Sequence, residues 1–168
     1  PKVVSKIGDI CINNFHKNNI GTVIKHIPGH GLAKVDSHKL TPIVKAKYNK
    51  LIKKDFSAFN NKKCLLAMTA HIIYEDLDPI NTATHSKKII SLIRNKIKFN
   101  SILMSDDISM KSLDRSIKFN TKKAFTAGCN LVLHCSGNYK EMLIVAENSP
   151  LISKFIIKKT SQLYKVLS

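Results

Sequence analysis

Lys25, His26, His30, Asp36 and His38 fall within one short stretch, KHIPGHGLAKVDSH, wrapped around a Pro28–Gly29 turn. Residues of these types can do two kinds of chemistry. His26, His30, Asp36 and His38 could offer nitrogen and oxygen ligands to a zinc ion. Pro28 and Gly29 break any helix, however, so the spacing of His26 and His30 does not by itself make them converge. Alternatively, Asp36 can hydrogen-bond one imidazole nitrogen of His38, fix its tautomer and leave the other nitrogen to pass a proton. A solvated loop would carry the same Asp-x-His spacing. A second constellation, Ser105-Asp106-Asp107-Ile108-Ser109-Met110, follows the apolar run Ile102–Met104. A carboxylate at the mouth of a buried strand is costly to desolvate, which suggests a task such as nucleophilic attack for Asp106. Asp107 reads as the N-cap of a following helix.

The elements that must position these groups follow from periodicity. Val3, Ile7, Ile10, Cys11 and Phe15 recur at helical spacing, and Thr22–Ile27 is a β-branched run that leads straight into the Pro-Gly turn. Tyr48–Phe59 predicts one or two short helices, and Leu65–Ile73 a second strand-like run. Ser86 is a candidate N-cap for a helix carrying Ile89, Ile90 and Ile93. Ser101–Met104 begins a third strand. Asp114–Ala127 is helical in pattern with Gly128 as its left-handed stop, and Leu131–His134 is the fourth strand. Helices over Tyr139–Glu147 and Ile152–Leu167 close the chain. Strands alternating with helices imply right-handed crossovers and a parallel sheet, so the fold class is α/β, in one domain spanning 1–168. His26, His71, Asp106 and His134 each come at the carboxyl end of a strand. That end is the active-site face of a β/α barrel. An open doubly wound sheet binds ligands there too, but the Gly-rich phosphate turn such sheets use has no counterpart here.

Composition narrows the classes further. The formal charge of +17 and pI near 9.9 would ordinarily point to nucleic acid or an anionic membrane. The positive charge is almost all lysine, with Arg94 and Arg115 the two arginines, whereas arginine is favoured for bidentate phosphate and base contacts. Lysine, isoleucine and asparagine dominate the composition, as an AT-rich genome would produce, so neither nucleic acid nor membrane is expected as a partner. Cys11, Cys64, Cys129 and Cys135 form no CxxC pair and read as buried reduced thiols. No run approaches a membrane helix, and Pro1–Lys17 has helical periodicity rather than a leader's apolar core. A cytoplasmic location is therefore expected.

The two motifs together resemble a known family. Lys25-His26-Ile27-Pro28-Gly29-His30-Gly31 followed by Asp36-Ser37-His38 is similar to the KHFPGHG…DSH signature of bacterial glycoside hydrolase family 3 β-N-acetylglucosaminidases. Ser105–Met110 is similar to their SDDLSM strand end. Met68-Thr69-Ala70-His71 and Ala127–Leu133 resemble the family in order and spacing. The resemblance implies a retaining exo-glycosidase that removes terminal N-acetylglucosamine from peptidoglycan-derived muropeptides in cell-wall recycling. It implies Asp106 as nucleophile, His38 as general acid/base with Asp36 as its partner, and Lys25 and His26 as binders of sugar hydroxyls; no cofactor or metal is implied.

These motifs correspond to the carboxyl-terminal half of the family's TIM-type (β/α)8 barrel: about four βα units plus terminal helices, where a whole barrel takes about 250 residues. The first four strands, which supply an acidic residue and arginines that grip the sugar in the family, have no counterpart. Such a chain is expected to pair with the missing half, to self-associate or to be marginally stable, because an open half exposes strand edges and apolar sheet face. An inactive remnant, a metal-dependent hydrolase and a basic binding module are the alternatives.

Overall fold

The computed structural model describes residues 1–37 and 40–168. Helix α1 (Lys2–Lys17) ends with His16 and Lys17 in its last turn, where cations complement the helix dipole. Strand β1 (Val23–Ile27) then enters the Pro28–Gly29 turn. After β2 (Ile43–Val44), the segment expected as one or two short helices forms a continuous helical stretch. It begins as α2 (Tyr48–Lys50), widens to a π turn over Leu51–Asp55 and tightens to a 3-10 turn over Phe56–Phe59. Strand β3 (Leu66–Thr69) and strand β4 (Ile73–Tyr74) follow.

Helix α3 (Lys87–Asn95) starts as expected at Ser86, whose hydroxyl accepts the Ile89 N–H at 3.2 Å. Its Ile89, Ile90 and Ile93 are buried. Strand β5 (Ile102–Asp107) leads to α4 (Ile117–Ala127), strand β6 (Leu131–Leu133), α5 (Tyr139–Glu147) and α6 (Lys154–Leu167).

Four strands make a parallel sheet in the order β1-β3-β5-β6. The strands of this sheet are the four expected from sequence, with the boundaries moved. The run over residues 65–73 divides: β3 ends at Thr69, while Ile73–Tyr74 belongs to a separate two-stranded parallel sheet with β2. There Ile73 N–H donates to Pro42 O and Glu75 N–H to Val44 O, each at 3.0 Å. Strands of two residues carry no readable period, so both escaped the sequence.

Asp106 and Asp107 are the last two residues of β5 rather than residues beyond it. Asp107 caps no helix: α4 begins ten residues later, capped by the Ser116 hydroxyl on Phe119 N–H. The start expected at Asp114 moves to Ile117 because Asn120, inside the helix, turns its amide N–H groups on the carbonyls of Ile108, Leu113 and Arg115. Gly128 adopts φ 119°, the left-handed stop expected there.

The core lies between sheet and helices, with Ile27, Phe56, Ile72, Tyr74, Ile93 and Leu103 inaccessible to solvent. Phe56 and Tyr74 meet edge to face with centroids 5.2 Å apart. Cys64 and Cys129 are buried thiols, as expected, but Cys11 and Cys135 are exposed. Cys11 sits on a helix face that little covers, and Cys135 on the loop after β6. No helix of the described residues is long and apolar enough to cross a membrane.

Candidate active site

His26 and Asp106 are eighty residues apart in sequence and are brought together by β1 and β5, which flank β3 in the sheet. Their side chains meet at 3.5 Å, His26 Nε2 to Asp106 Oδ2, and the Asp106 side chain is only 14% exposed. The ladder register is irregular between Ile24 and Ile27 and again between Met104 and Asp107. Irregularities of this kind re-aim side chains at strand ends, and here they fall on the stretches that carry His26 and Asp106. The Lys25–His26 and Ile27–Pro28 peptide bonds are cis.

The two oxygens of Asp106 have different surroundings. Oδ1 accepts the N–H of Asp107 at 2.8 Å, while Oδ2 faces His26. Burial holds the His26 imidazole below its ordinary proton affinity; attraction to Asp106 opposes this, and repulsion from Lys25, His30 and His71 reinforces it. His26 is therefore a neutral imidazole beside the carboxylate at neutral pH, and its ring meets that of His30 edge to face at 5.8 Å. Lys25 is exposed, and its charge acts directly on His26.

Asp107 is a structural carboxylate. Burial would raise its pKa, but the Ser109 N–H and hydroxyl and the Cys135 N–H, with the nearby His134, hold it below the usual carboxylate range. It thereby ties the turn after β5 to the loop after β6.

Beneath the acids lies a polar layer that the sequence did not reveal. His71 is buried, with Nδ1 at 2.7 Å from the Thr84 hydroxyl and Nε2 at 3.0 Å from the Asp107 carbonyl. Thr84 also meets Thr69 at 2.8 Å. Burial keeps His71 below its ordinary pKa, although the Asp107 carbonyl and the charges of Asp106 and Asp107 pull the other way. The sequence predicts His71 as a strand-end histidine; its partner Thr84 comes from a separate 3-10 turn, Ala83–His85, which no motif connects to it.

The loop after β1 rests on Asp55, which has no sequence signal of its own. Gly31 N–H donates to Asp55 Oδ1 at 3.1 Å, and the Tyr74 hydroxyl donates to Gly29 O. A Cβ built on Gly29 would stand 2.5 Å from the Asp55 carboxyl carbon, so the chain can pass over the carboxylate only without a side chain. Burial raises the pKa of Asp55, and the N–H groups of Gly31 and Leu32 partly offset that.

Further along the same loop, Asp36 is exposed and Ser37 is buried. His38 lies outside the described residues. Among the described residues, no group of three His, Cys, Asp or Glu side chains is arranged to hold a metal ion. His134, also expected at a strand end, pairs with Glu141 at 2.8 Å.

A family model described as "Glycosyl hydrolase family 3 N terminal domain" matches residues 1–165. The protein named "Beta-hexosaminidase" of Nitrosomonas eutropha is 32% identical over 141 residues, 81% of this chain and 40% of that protein. The "Beta-hexosaminidase" of Aromatoleum aromaticum is 30% identical over 142 residues, again 81% and 40%. Among solved structures, CbsA from Thermotoga neapolitana superposes with a TM-score of 0.82 at 28% identity, covering 99% of this chain and 40% of that one. The β-N-acetylglucosaminidase from Thermotoga maritima superposes with a TM-score of 0.77 at 27% identity, covering 99% and 39%. The chain thus spans about 40% of the length of the curated relatives it matches.

Proposed function

The chain belongs to glycosyl hydrolase family 3, in its N-terminal domain rather than in a carboxyl-terminal half of the protein, and from that premise we propose that it supplies the carboxyl-terminal half of the domain's barrel in a retaining exo-β-N-acetylglucosaminidase. The observation that carries this reading is the pairing of Asp106 with His26 at 3.5 Å at the carboxyl ends of two parallel strands, in a chain whose relatives are named beta-hexosaminidases.

Asp106 Oδ2 attacks the anomeric carbon, and the bond to the leaving oxygen breaks as the glycosyl-enzyme ester forms. His38 donates the proton that the leaving oxygen takes, with Asp36 stabilising its charged form. In the second half the same histidine removes a proton from water, which attacks the anomeric carbon and frees Asp106. Lys25 and neutral His26 hold sugar hydroxyls. Because a histidine takes the place of one carboxylate, the usual distance rule for stereochemistry does not apply. The substrate is N-acetylglucosamine-terminated muropeptide, in the cytoplasm, and the barrel is completed by the missing half or by self-association.

The test is release of chromophore from an aryl N-acetyl-β-glucosaminide, by the chain alone and with a polypeptide carrying the first four βα units supplied in trans. Activity is expected in at least the second mixture, with Asp106→Asn lowering it by about a thousandfold or more. No turnover in either mixture from folded protein, or wild-type turnover by Asp106→Asn, overturns the reading.

A further inference from the structure

The turn that follows β1, Gly29 to Leu32, is gripped by two side chains. Asp55 Oδ1 accepts the Gly31 N–H at 3.1 Å, and the Leu32 N–H bonds to the same carboxylate. The Tyr74 hydroxyl donates to Gly29 O. The backbone lies directly on the acid: a Cβ on Gly29 would stand 2.6 and 2.9 Å from the two Asp55 oxygens, and one on Gly31 would stand 3.1 Å from Oδ1. Two glycines let the chain approach that closely.

Asp55 is itself firmly held. It ends the π turn Leu51–Asp55, and widened turns of this kind inside helical stretches gather at functional sites. Leu51 and Phe56 are inaccessible to solvent, and Phe56 packs edge to face on Tyr74, so both grips on the turn spring from one piece of core. The position is a costly one for a carboxylate. Oδ2 is buried with no hydrogen-bond partner among the described residues, and the Gly31 and Leu32 N–H groups and the charge of His30 only partly offset the desolvation.

What the turn carries explains the arrangement. His30 lies between the two glycines that rest on Asp55, and its ring meets that of His26 edge to face at 5.8 Å. His26 Nε2 in turn stands 3.5 Å from Asp106 Oδ2. A continuous path of contacts therefore runs from Asp55 through the turn backbone and His30 to the pair at the strand ends. We propose that Asp55 is a positioning residue for the candidate active site: by fixing the turn it keeps the His30 ring on His26, and His26 against Asp106. What that pair does rests on the glycosidase reading; how it is held does not.

The test is an NMR titration of the histidine rings in the wild-type chain and in Asp55→Ala and Asp55→Asn. Wild-type His26 titrates below 6.5. In Asp55→Ala it is expected to rise toward 6.5, because the freed turn lets water reach the ring, and the cross-relaxation between the His26 and His30 rings should vanish. His85, far from the turn in sequence and held at about 4, should not move, which shows that the fold is intact. Asp55→Asn keeps an oxygen that accepts the two N–H groups and is expected to hold His26 and the ring contact at their wild-type values. Should Asp55→Ala fail to fold, Asp55→Ser, whose hydroxyl falls one bond short of the Gly31 N–H, takes its place under the same criteria. With the first four βα units supplied in trans, Asp55→Ala should lower kcat/KM about tenfold or more and Asp55→Asn less than about threefold. An unchanged His26 titration and ring contact in Asp55→Ala, or an equal disturbance in Asp55→Asn, overturns the proposal. A mixture without activity even from the wild type counts against the glycosidase reading, and the His26 titration then decides the role of Asp55 by itself.

Discussion

His85 shows how one buried imidazole acts on the stability of the whole chain. Its pKa is pushed down to about 4 by burial, with repulsion from His71 and Lys123 adding to the effect and a hydrogen bond to the Asn120 backbone opposing it. In the unfolded chain it returns to about 6.5. Between those values the unfolded state binds the proton and the folded state does not. Stability is therefore complete above the unfolded value and falls as pH drops toward 4, by about 3 kcal/mol for this residue at the low end. His26 and His71 are shifted in the same direction and add to the slope. Denaturant midpoints at pH 7, 5 and 4 should fall steeply for the wild type and less steeply for His85→Gln; parallel falls in the two proteins would remove His85 as the source. The four candidate residues legible in the sequence and described, Lys25, His26, Asp36 and Asp106, were readable because their motifs are contiguous. Asp55 and the His71–Thr84–Thr69 layer were not, since each owes its place to a partner distant in sequence.

At the scale of elements, the strand ends and the loops that leave them decide where the acids point. The loop after β1 is pinned by the carboxylate at the end of the π turn, Asp55, and by the Tyr74 hydroxyl from β4. Gly29→Ala places a methyl group 2.5 Å from the Asp55 carboxyl carbon, so loop or helix must move. The substitution is expected to cost about 2–4 kcal/mol, in the range of overpacked or strained sites. In the Asp55→Ala background the same change should cost clearly less, because the clash is gone, and equal costs in the two backgrounds would show that the contact does not limit the loop. Helix identity was legible in the sequence where a cap and a period agree, as at Ser86 and α3. It was displaced where a side chain competes for backbone, as Asn120 does ahead of α4, and no period foretells that competition.

For the whole molecule, the deciding feature is a parallel sheet with β1 and β6 at its two edges. α1 leaves Val3, Val4, Ile7 and Ile10 exposed, and α5 and α6 leave Met142, Leu143, Phe155 and Ile157 exposed. Exposed apolar side chains in this number are a contact surface or an aggregation liability. The chain alone is expected to self-associate with rising concentration in sedimentation velocity, and to shift to a discrete one-to-one complex when a polypeptide carrying the first four βα units is added. A chain that stays monomeric throughout, and ignores the added half, would count against completion of a barrel in either way.

The sequence by itself determined the α/β class, the four strands of the main sheet, the helix stops and the two motifs that place the chain in its family, because each is written in local period or contiguous residue type. Tertiary structure alone decided that Asp106 lies against a neutral His26, that Asp107 is a structural carboxylate and that Asp55 holds the loop after β1. Those facts depend on which burial and which partner a side chain meets across the sheet, and desolvation and hydrogen bonding act only once the chain has folded.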